Sequence, residues 1–303
     1  MDLQRILNSQ QAGSWALRIS RMLPPAVGLQ FAKLLASRLT LNRDLPLMQA
    51  IRLNRWVTSD FELEGAALDR AARQALYEIA ASFYLLFHYI NRPEALQELV
   101  EFSPEVDEVI ALSRENRRGL LVAGLHMSNF DLVIQAAAWR GLRAIAVSLP
   151  EVTENQEAVE WQHQFRRQAG LEILPASVST FKKAVERLRA GGVVMTGIDR
   201  SISKPRLRPK FFGQPAWLPL HHVHLALEAD VPLLLISALR KEDGRYHLLA
   251  SPELRLEPRP NRDERMLLNA ERVLEIAEGF VRQAPEQWTV VQPVWPDLLK
   301  KMP

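Results

Sequence analysis

A histidine at the end of a buried strand is a ready-made general base, because imidazole is the one side chain that ordinarily titrates near neutrality. The stretch LLVAGLHMSNFDLVIQAAAWRG, residues 120–141, holds such a position: an apolar run reaches His126, Asp131 follows five residues later, and an apolar helical pattern resumes. In α/β sheets, ligands bind outside the carboxyl ends of the strands. Ser128 or Asn129 is placed to cap the following helix, and Asp131 falls in its first turn, where a negative charge is favourable. A loop histidine folded back over that turn would give one ring nitrogen to the Asp131 carboxylate and keep the other as a base, the histidine–carboxylate half of a triad. The alternative is structural, with Asp131 a helix-start charge and His126 a satisfied loop residue. With 7 histidines and 35 acidic residues in the chain, chance is enough to supply such a spacing, so context must decide.

The chain has no cysteine, which removes thiolate nucleophiles, thiolate zinc sites and disulfides. No G-x-S-x-G elbow is present, and Ser128 lies too close to His126 in sequence to be assigned as a nucleophile. A base without a protein nucleophile points to a substrate hydroxyl as the attacking group. A second cluster follows another apolar run: GIDRSISKPRLRPKFFGQPAWLP places Asp199 and Arg200 at a strand end, then Lys204, Arg206, Arg208 and Lys210 ahead of Phe211, Phe212 and Gly213. Five cations in eleven residues beside a Phe pair would hold phosphate next to an apolar chain. The alternative is a solvated basic loop. His221, His222 and His224 form a further pattern, with 221 and 224 on one helix face, but no cysteine accompanies them and the adjacent acid is Glu228. A polar helix surface is the expectation there, and no metal is expected.

These positions need a frame. Apolar runs at Gly119–Leu125, Leu142–Leu149, Leu171–Leu174, Val193–Ile198 and Pro232–Leu239 predict buried strands. Between them, Asn129–Arg140, Asn155–Ala169, Ser177–Ala190 and Leu220–Ala229 predict helices, with glycines 141, 170 and 191–192 as stops. Ala66–Tyr89 predicts a long earlier helix, Tyr246–Ala250 with Leu254–Glu257 a late hairpin, and Arg262–Gln283 a C-terminal helix. The alternation predicts an α/β fold, a central, mostly parallel sheet flanked by helices. A helical region over 1–100 is expected to dock on an α/β domain over 101–303.

Residues 1–55 carry eight basic residues against two acids, although the formal net charge of the whole chain is only +3. In WALRISRMLPPAVGLQFAKLLASRL, arginines and a lysine recur every few positions among large apolar residues. The longest uncharged run there, 22–32, contains Pro24-Pro25 and is too short to cross a bilayer of ~30 Å as one helix. It also lacks the pattern of a signal peptide. A basic, apolar, helix-forming arm suits an anionic membrane surface; the alternative is a helical hairpin packed on the domain with its arginines in water. A non-catalytic lipid-binding scaffold would account for the arm and the basic loop, though not for a histidine at a strand end. Nucleic acid is not an expected partner, because net charge is low and the basic loop lacks interleaved aromatics beyond the Phe pair.

The motifs HMSNFD, RRQAG followed by LEILP, GIDR, FFGQPAWLP, ADVPLLL and PEQW, in this order over roughly residues 10–295, resemble the bacterial lipid A biosynthesis acyltransferase family, within the lysophospholipid acyltransferases. The Asp-Arg and FFG-x-PA-x-LP wording is similar also to the phosphatidylinositol mannoside acyltransferase branch. His221-His222 is a departure, since relatives often carry glycine near that position. The resemblance implies a membrane-associated O-acyltransferase with no cofactor, moving a fatty acyl chain from acyl-CoA or acyl-carrier protein to a hydroxyl of a glycolipid or phospholipid. It maps the His-x4-Asp motif onto His126 and Asp131 as catalytic residues. Arg166, Asp199, Arg200, Lys210, Phe211, Phe212 and Gly213 become the substrate-binding set. The protein is then expected to act as a monomer, peripheral on the cytoplasmic face of the inner membrane, with its N-terminal arm against the lipid.

Overall fold

A computed structural model describes residues 18–90, 92–148 and 171–303. The chain is helical at 18–22 and continues through α1 (Pro25–Leu39), α2 (Pro46–Thr58), α3 (Gly65–Tyr89) and α4 (Pro93–Leu99). Then follow β1 (Val100–Phe102), α5 (Pro104–Glu115), β2 (Leu120–Gly124), α6 (Phe130–Trp139), β3 (Ala144–Ser148), β4 (Glu172–Pro175), α7 (Val178–Arg189) and β5 (Val193–Gly197). A short hairpin, β6 (Lys210–Phe211) and β7 (Gln214–Pro215), precedes α8 (His221–Ala229), β8 (Leu233–Arg240), β9 (Tyr246–Ala250) and α9 (Arg262–Gln283). Short 3₁₀ helices at Pro285–Gln287 and Pro296–Lys301 follow.

Seven strands form one sheet in the order β1-β9-β8-β2-β5-β3-β4. The five strands β8, β2, β5, β3 and β4 are mutually parallel, whereas β9 runs antiparallel to β8 and β1 parallel to β9. Burial on both faces explains why the central strands read as unbroken apolar runs. In β2, Leu121 and Ala123 enter the core layer shared with α7, α8 and α9, while Leu120 and Val122 enter the opposite layer under α5 and α6. The helix stops behave as expected where glycine can take a positive φ: Gly141 (φ 112°) ends α6 and Gly191 (φ 86°) ends α7. Ser177 caps α7 by accepting from the Thr180 N–H, and Asn261 caps α9 by accepting from Asp263 and Glu264.

Two expectations need correction. Leu254–Glu257 forms no strand, because Tyr246–Ala250 pairs with β8 on one side and β1 on the other; only Leu254 returns, bridging Leu233 at the start of β8. Asn129 occupies the N-cap position of α6 without capping it, since its side-chain amide donates to the Ser82 carbonyl of α3 (2.8 Å). The predicted helix over Asn155–Ala169 lies outside the described residues.

The N-terminal helices pack on one another through Ala36, Met48, Ile51, Ala72, Ala75 and Ile79. They leave Ile19, Met22, Phe31, Leu34, Leu35, Leu41 and Phe83 exposed. Phe31, Leu34 and Leu35 stand at i, i+3 and i+4 and therefore share one face of α1. Among the described residues, no helix is long and apolar enough to cross a membrane.

Candidate active site

The site arises from strand register. β2 and β5 are parallel neighbours in which Gly124 pairs with Gly197. Two residues beyond each glycine come His126 and Asp199, so the ladder itself sets imidazole and carboxylate side by side. His126 Nδ1 lies 2.5 Å from Asp199 Oδ1, and the backbone N–H of His126 donates to Asp199 Oδ2 (2.8 Å). The indole Nε1–H of Trp288 donates to that same Oδ2 (2.8 Å). Asp199 is fully buried, and His126 is 8% exposed.

This pairing corrects the sequence expectation in two respects. The carboxylate on His126 Nδ1 belongs to Asp199 rather than Asp131, and both Asp199 oxygens are engaged inside the protein, by His126 and Trp288. Asp131 does sit in the first turn of α6 and lines the same cavity, and its negative charge favours protonation of the ring from there. Asp199 was legible in principle, since β2 and β5 both end in glycine and are each followed by one apolar and one ionisable residue: Gly124-Leu125-His126 and Gly197-Ile198-Asp199.

Burial sets the protonation states. Desolvation and then the charge of Arg200 push the imidazole of His126 below its ordinary value, against the pull of Asp199 and Asp131. His126 is therefore neutral at neutral pH. Burial works to raise the Asp199 carboxyl, but the His126 ring and the donors from His126 and Trp288 outweigh it, holding the group below the usual carboxylate range. An ionised Asp199 accepts the Nδ1 proton, which assigns the tautomer and leaves Nε2 with the lone pair.

The ring is also fixed sterically. A Cβ at position 197 would lie 2.8 Å from His126 Cε1, so only glycine leaves room there. The edge of Phe130 meets the ring with centroids 4.4 Å apart, and the Arg200 guanidinium lies over Phe130 at 5.9 Å. The loop after His126 is held from the far end of the chain. Thr289 donates its N–H and its hydroxyl to the His126 carbonyl (both 2.8 Å), and Ser128, at φ 50°, donates its N–H to the Gln287 carbonyl (2.5 Å).

His126 opens onto a cavity of about 150 Å³ between α6 and the sheet. Its lining comes from six adjacent strands, running from Leu248 on β9 through Ala238, Gly124, Met195 and Ala146 to Ile173 on β4. Small residues make the space: a Cβ on Gly124 would have no atom nearer than 3.9 Å.

Arg200 lines this cavity. Lys210, Phe211, Phe212 and Gly213 do not. Lys210 is exposed with its backbone N–H on Glu271 of α9. Phe211 and Phe212 are buried in the layer on the opposite face of the sheet, where Phe211 stacks on Trp295 (5.6 Å). Phe212 and Gly213 both take positive φ (50° and 69°), forming the two-residue turn of the β6–β7 hairpin. In the basic loop, Arg206 pairs with Asp263 and Arg208 with Asp297, so these two are engaged by carboxylates of the protein itself. Arg166 lies outside the described residues. His221 bonds Thr196 Oγ1 (2.5 Å) and His222 is buried; among the described residues no three His, Asp or Glu side chains converge as metal ligands.

Trp288, within the PEQW motif, is a residue of the site that the sequence does not mark as such; its place follows from the indole contact with Asp199. No curated protein matches the chain. A family model for bacterial lipid A biosynthesis acyltransferases matches residues 78–296, a span that contains His126, Asp131, Asp199, Arg200 and Trp288 together. With well over half of its length covered, this chain belongs to the bacterial lipid A biosynthesis acyltransferase family, a family of acyltransferases acting on lipids.

Proposed function

We propose that the protein moves a fatty acyl group from a thioester, acyl-CoA or acyl-carrier protein, to a hydroxyl of a membrane glycolipid or phospholipid. The observation that carries this reading is an imidazole whose Nδ1 is held by a buried carboxylate and which opens onto a mainly apolar cavity between α6 and the sheet. The acyl chain lies across the strands beneath α6, with the thioester carbonyl beside His126. Nε2 takes the proton of the acceptor hydroxyl as its oxygen attacks that carbonyl. The tetrahedral intermediate collapses with cleavage of the carbon–sulfur bond, and the imidazolium returns the proton to the departing thiolate. Asp199 and Asp131 stabilise the imidazolium, and Arg200 receives an anionic group of donor or acceptor.

The exposed apolar residues of the N-terminal helices, with Arg21, Lys33 and Arg38 in the same region, suit docking on an anionic lipid surface. The protein then works as a peripheral protein of the cytoplasmic face of the inner membrane.

One experiment addresses both parts. Labelled palmitoyl-CoA, or labelled palmitoyl-acyl-carrier protein, is given to the protein with vesicles of total lipid from the source organism, and the vesicles are then sedimented. A labelled lipid and co-sedimenting protein are expected. Gly124→Leu should depress transfer of palmitoyl about tenfold relative to a short acyl chain, because the new side chain fills the middle of the cavity. Folded protein that gives no labelled lipid with either donor would return the reading to a non-catalytic lipid-binding scaffold. Protein left wholly in the supernatant would remove the docking role.

A further inference from the structure

We propose that Trp288 is a positioning residue of the His126–Asp199 pair, one that keeps Asp199 a charged, oriented acceptor so that the proton between them stays on Nδ1. The inference rests on the acyl-transfer reading for its kinetic consequence, but not for its geometry.

Asp199 is fully buried, so every lone pair that faces no donor carries a desolvation cost. Oδ1 faces Nδ1 of His126, and Oδ2 takes two donors, the His126 backbone N–H and the Trp288 indole N–H. The backbone donor belongs to the same residue as the imidazole, so these two contacts tie the carboxylate to His126 alone and not to the surrounding fold. The indole supplies that tie, because it approaches from another element. It is also donor-only: unlike a hydroxyl or an amide, it cannot turn to accept a proton from Asp199, so it favours the ionised carboxylate alone.

The indole is itself immobilised. Phe211 and Trp295 pack edge-on to it with centroids 5.8 and 6.0 Å away, and Trp288 is 3% exposed. Its backbone bridges Met127, the residue between His126 and Ser128. The indole N–H and the histidine loop therefore hold one frame. This gives the buried Phe211 a part in the site, as a support behind Trp288.

The test compares Trp288→Phe, which keeps an aromatic ring and removes the N–H, with Trp295→Phe in the same cluster, whose indole donates to the Phe211 carbonyl (3.2 Å) and not to Asp199. The His126 ring is titrated by NMR, which needs no substrate, and kcat and KM are measured against pH. Loss of the donor makes Asp199 more basic and favours the imidazolium. Trp288→Phe should therefore move the His126 titration, and the rising limb of kcat/KM, to higher pH. It should lower kcat roughly ten- to a hundredfold with little change in KM, the scale of a hydrogen bond to a charged group. Trp295→Phe should leave the titration in place. Coincident titrations in Trp288→Phe and the unmodified protein, or equal shifts in both variants, would overturn the proposal. Should Trp288→Phe fail to fold, the Trp288 indole N–H resonance of the unmodified protein decides: it should move with the His126 titration, and indifference to it overturns the proposal. A shifted titration without acyl transfer from any donor would uphold the geometry while rejecting the acyltransferase chemistry.

Discussion

His126→Ala is expected to lower acyl transfer by roughly 10²–10⁴-fold, the usual contribution of a positioned general base. An alcohol is a poor nucleophile until its proton has somewhere to go, and Nε2 is the basic nitrogen that the Asp199 contact leaves uncommitted. The substitution removes a side chain that is largely buried, so some stability is lost as well; a thermal melt of the variant separates that loss from the kinetic one. If KM for the thioester donor stays near its original value while kcat collapses, the side chain acts in the transition state and not in binding. Near-normal transfer by folded His126→Ala would dismiss the mechanism outright.

Asp199→Asn should be at least comparably damaging, and for a reason that distinguishes it from Asp131→Asn. The asparagine amide can donate to Nδ1 and so stabilise the opposite tautomer, with the proton on Nε2, which abolishes the base while preserving the shape of the site. In a serine-protease triad the same exchange costs about 10⁴-fold, and a loss of that order is expected here. The contact at Nδ1 is made by Asp199, and Asp131 acts on the ring through its charge. Asp131→Asn should weaken stabilisation of the imidazolium and cost less than Asp199→Asn. The opposite ranking in rates measured at saturating substrate would return Asp131 to the role that spacing alone suggested.

That spacing misled because it is local, whereas the partner is chosen by register. Five residues along the chain seemed the natural reach of His126, yet a parallel ladder places residues at matching depth on neighbouring strands beside each other, however far apart in sequence. The strands and helices of the α/β region were legible because each has its own period: β2, β3, β5 and β8 as apolar runs, α7 and α9 as amphipathic segments with side-chain caps. Elements without such a period escaped. β1 is three residues long and is defined by its pairing with β9. Composition shows the charges of the basic loop and not their partners: Asp263 on α9 and Asp297 near the C-terminus, which pair with Arg206 and Arg208, are distant in sequence and adjacent in the fold. The Phe pair gives no sign in sequence of its surroundings, and in the fold it is buried in an aromatic cluster with Trp288 and Trp295.

The buried histidines also tie folding to proton uptake. His126, His221 and His222 all lie below their ordinary value through burial, His221 at about 4 and His222 at about 3. Above the unfolded value of about 6.5 neither state binds these protons, and there is no linkage. Below it the unfolded chain takes up protons that the native chain refuses, so stability falls as pH drops from 6.5 toward the folded values. The slope is about 1.4 kcal/mol per pH unit for each histidine that remains uncharged in the fold. Asp199, depressed in the fold, adds a loss of the same sign at lower pH. Thermal midpoints should therefore decline between pH 6.5 and 4, and His222→Leu should flatten that decline; an unchanged slope would mean that His222 is protonated in the native state. A protein that holds neutral imidazoles in its interior thereby also carries an acid limit on its own integrity.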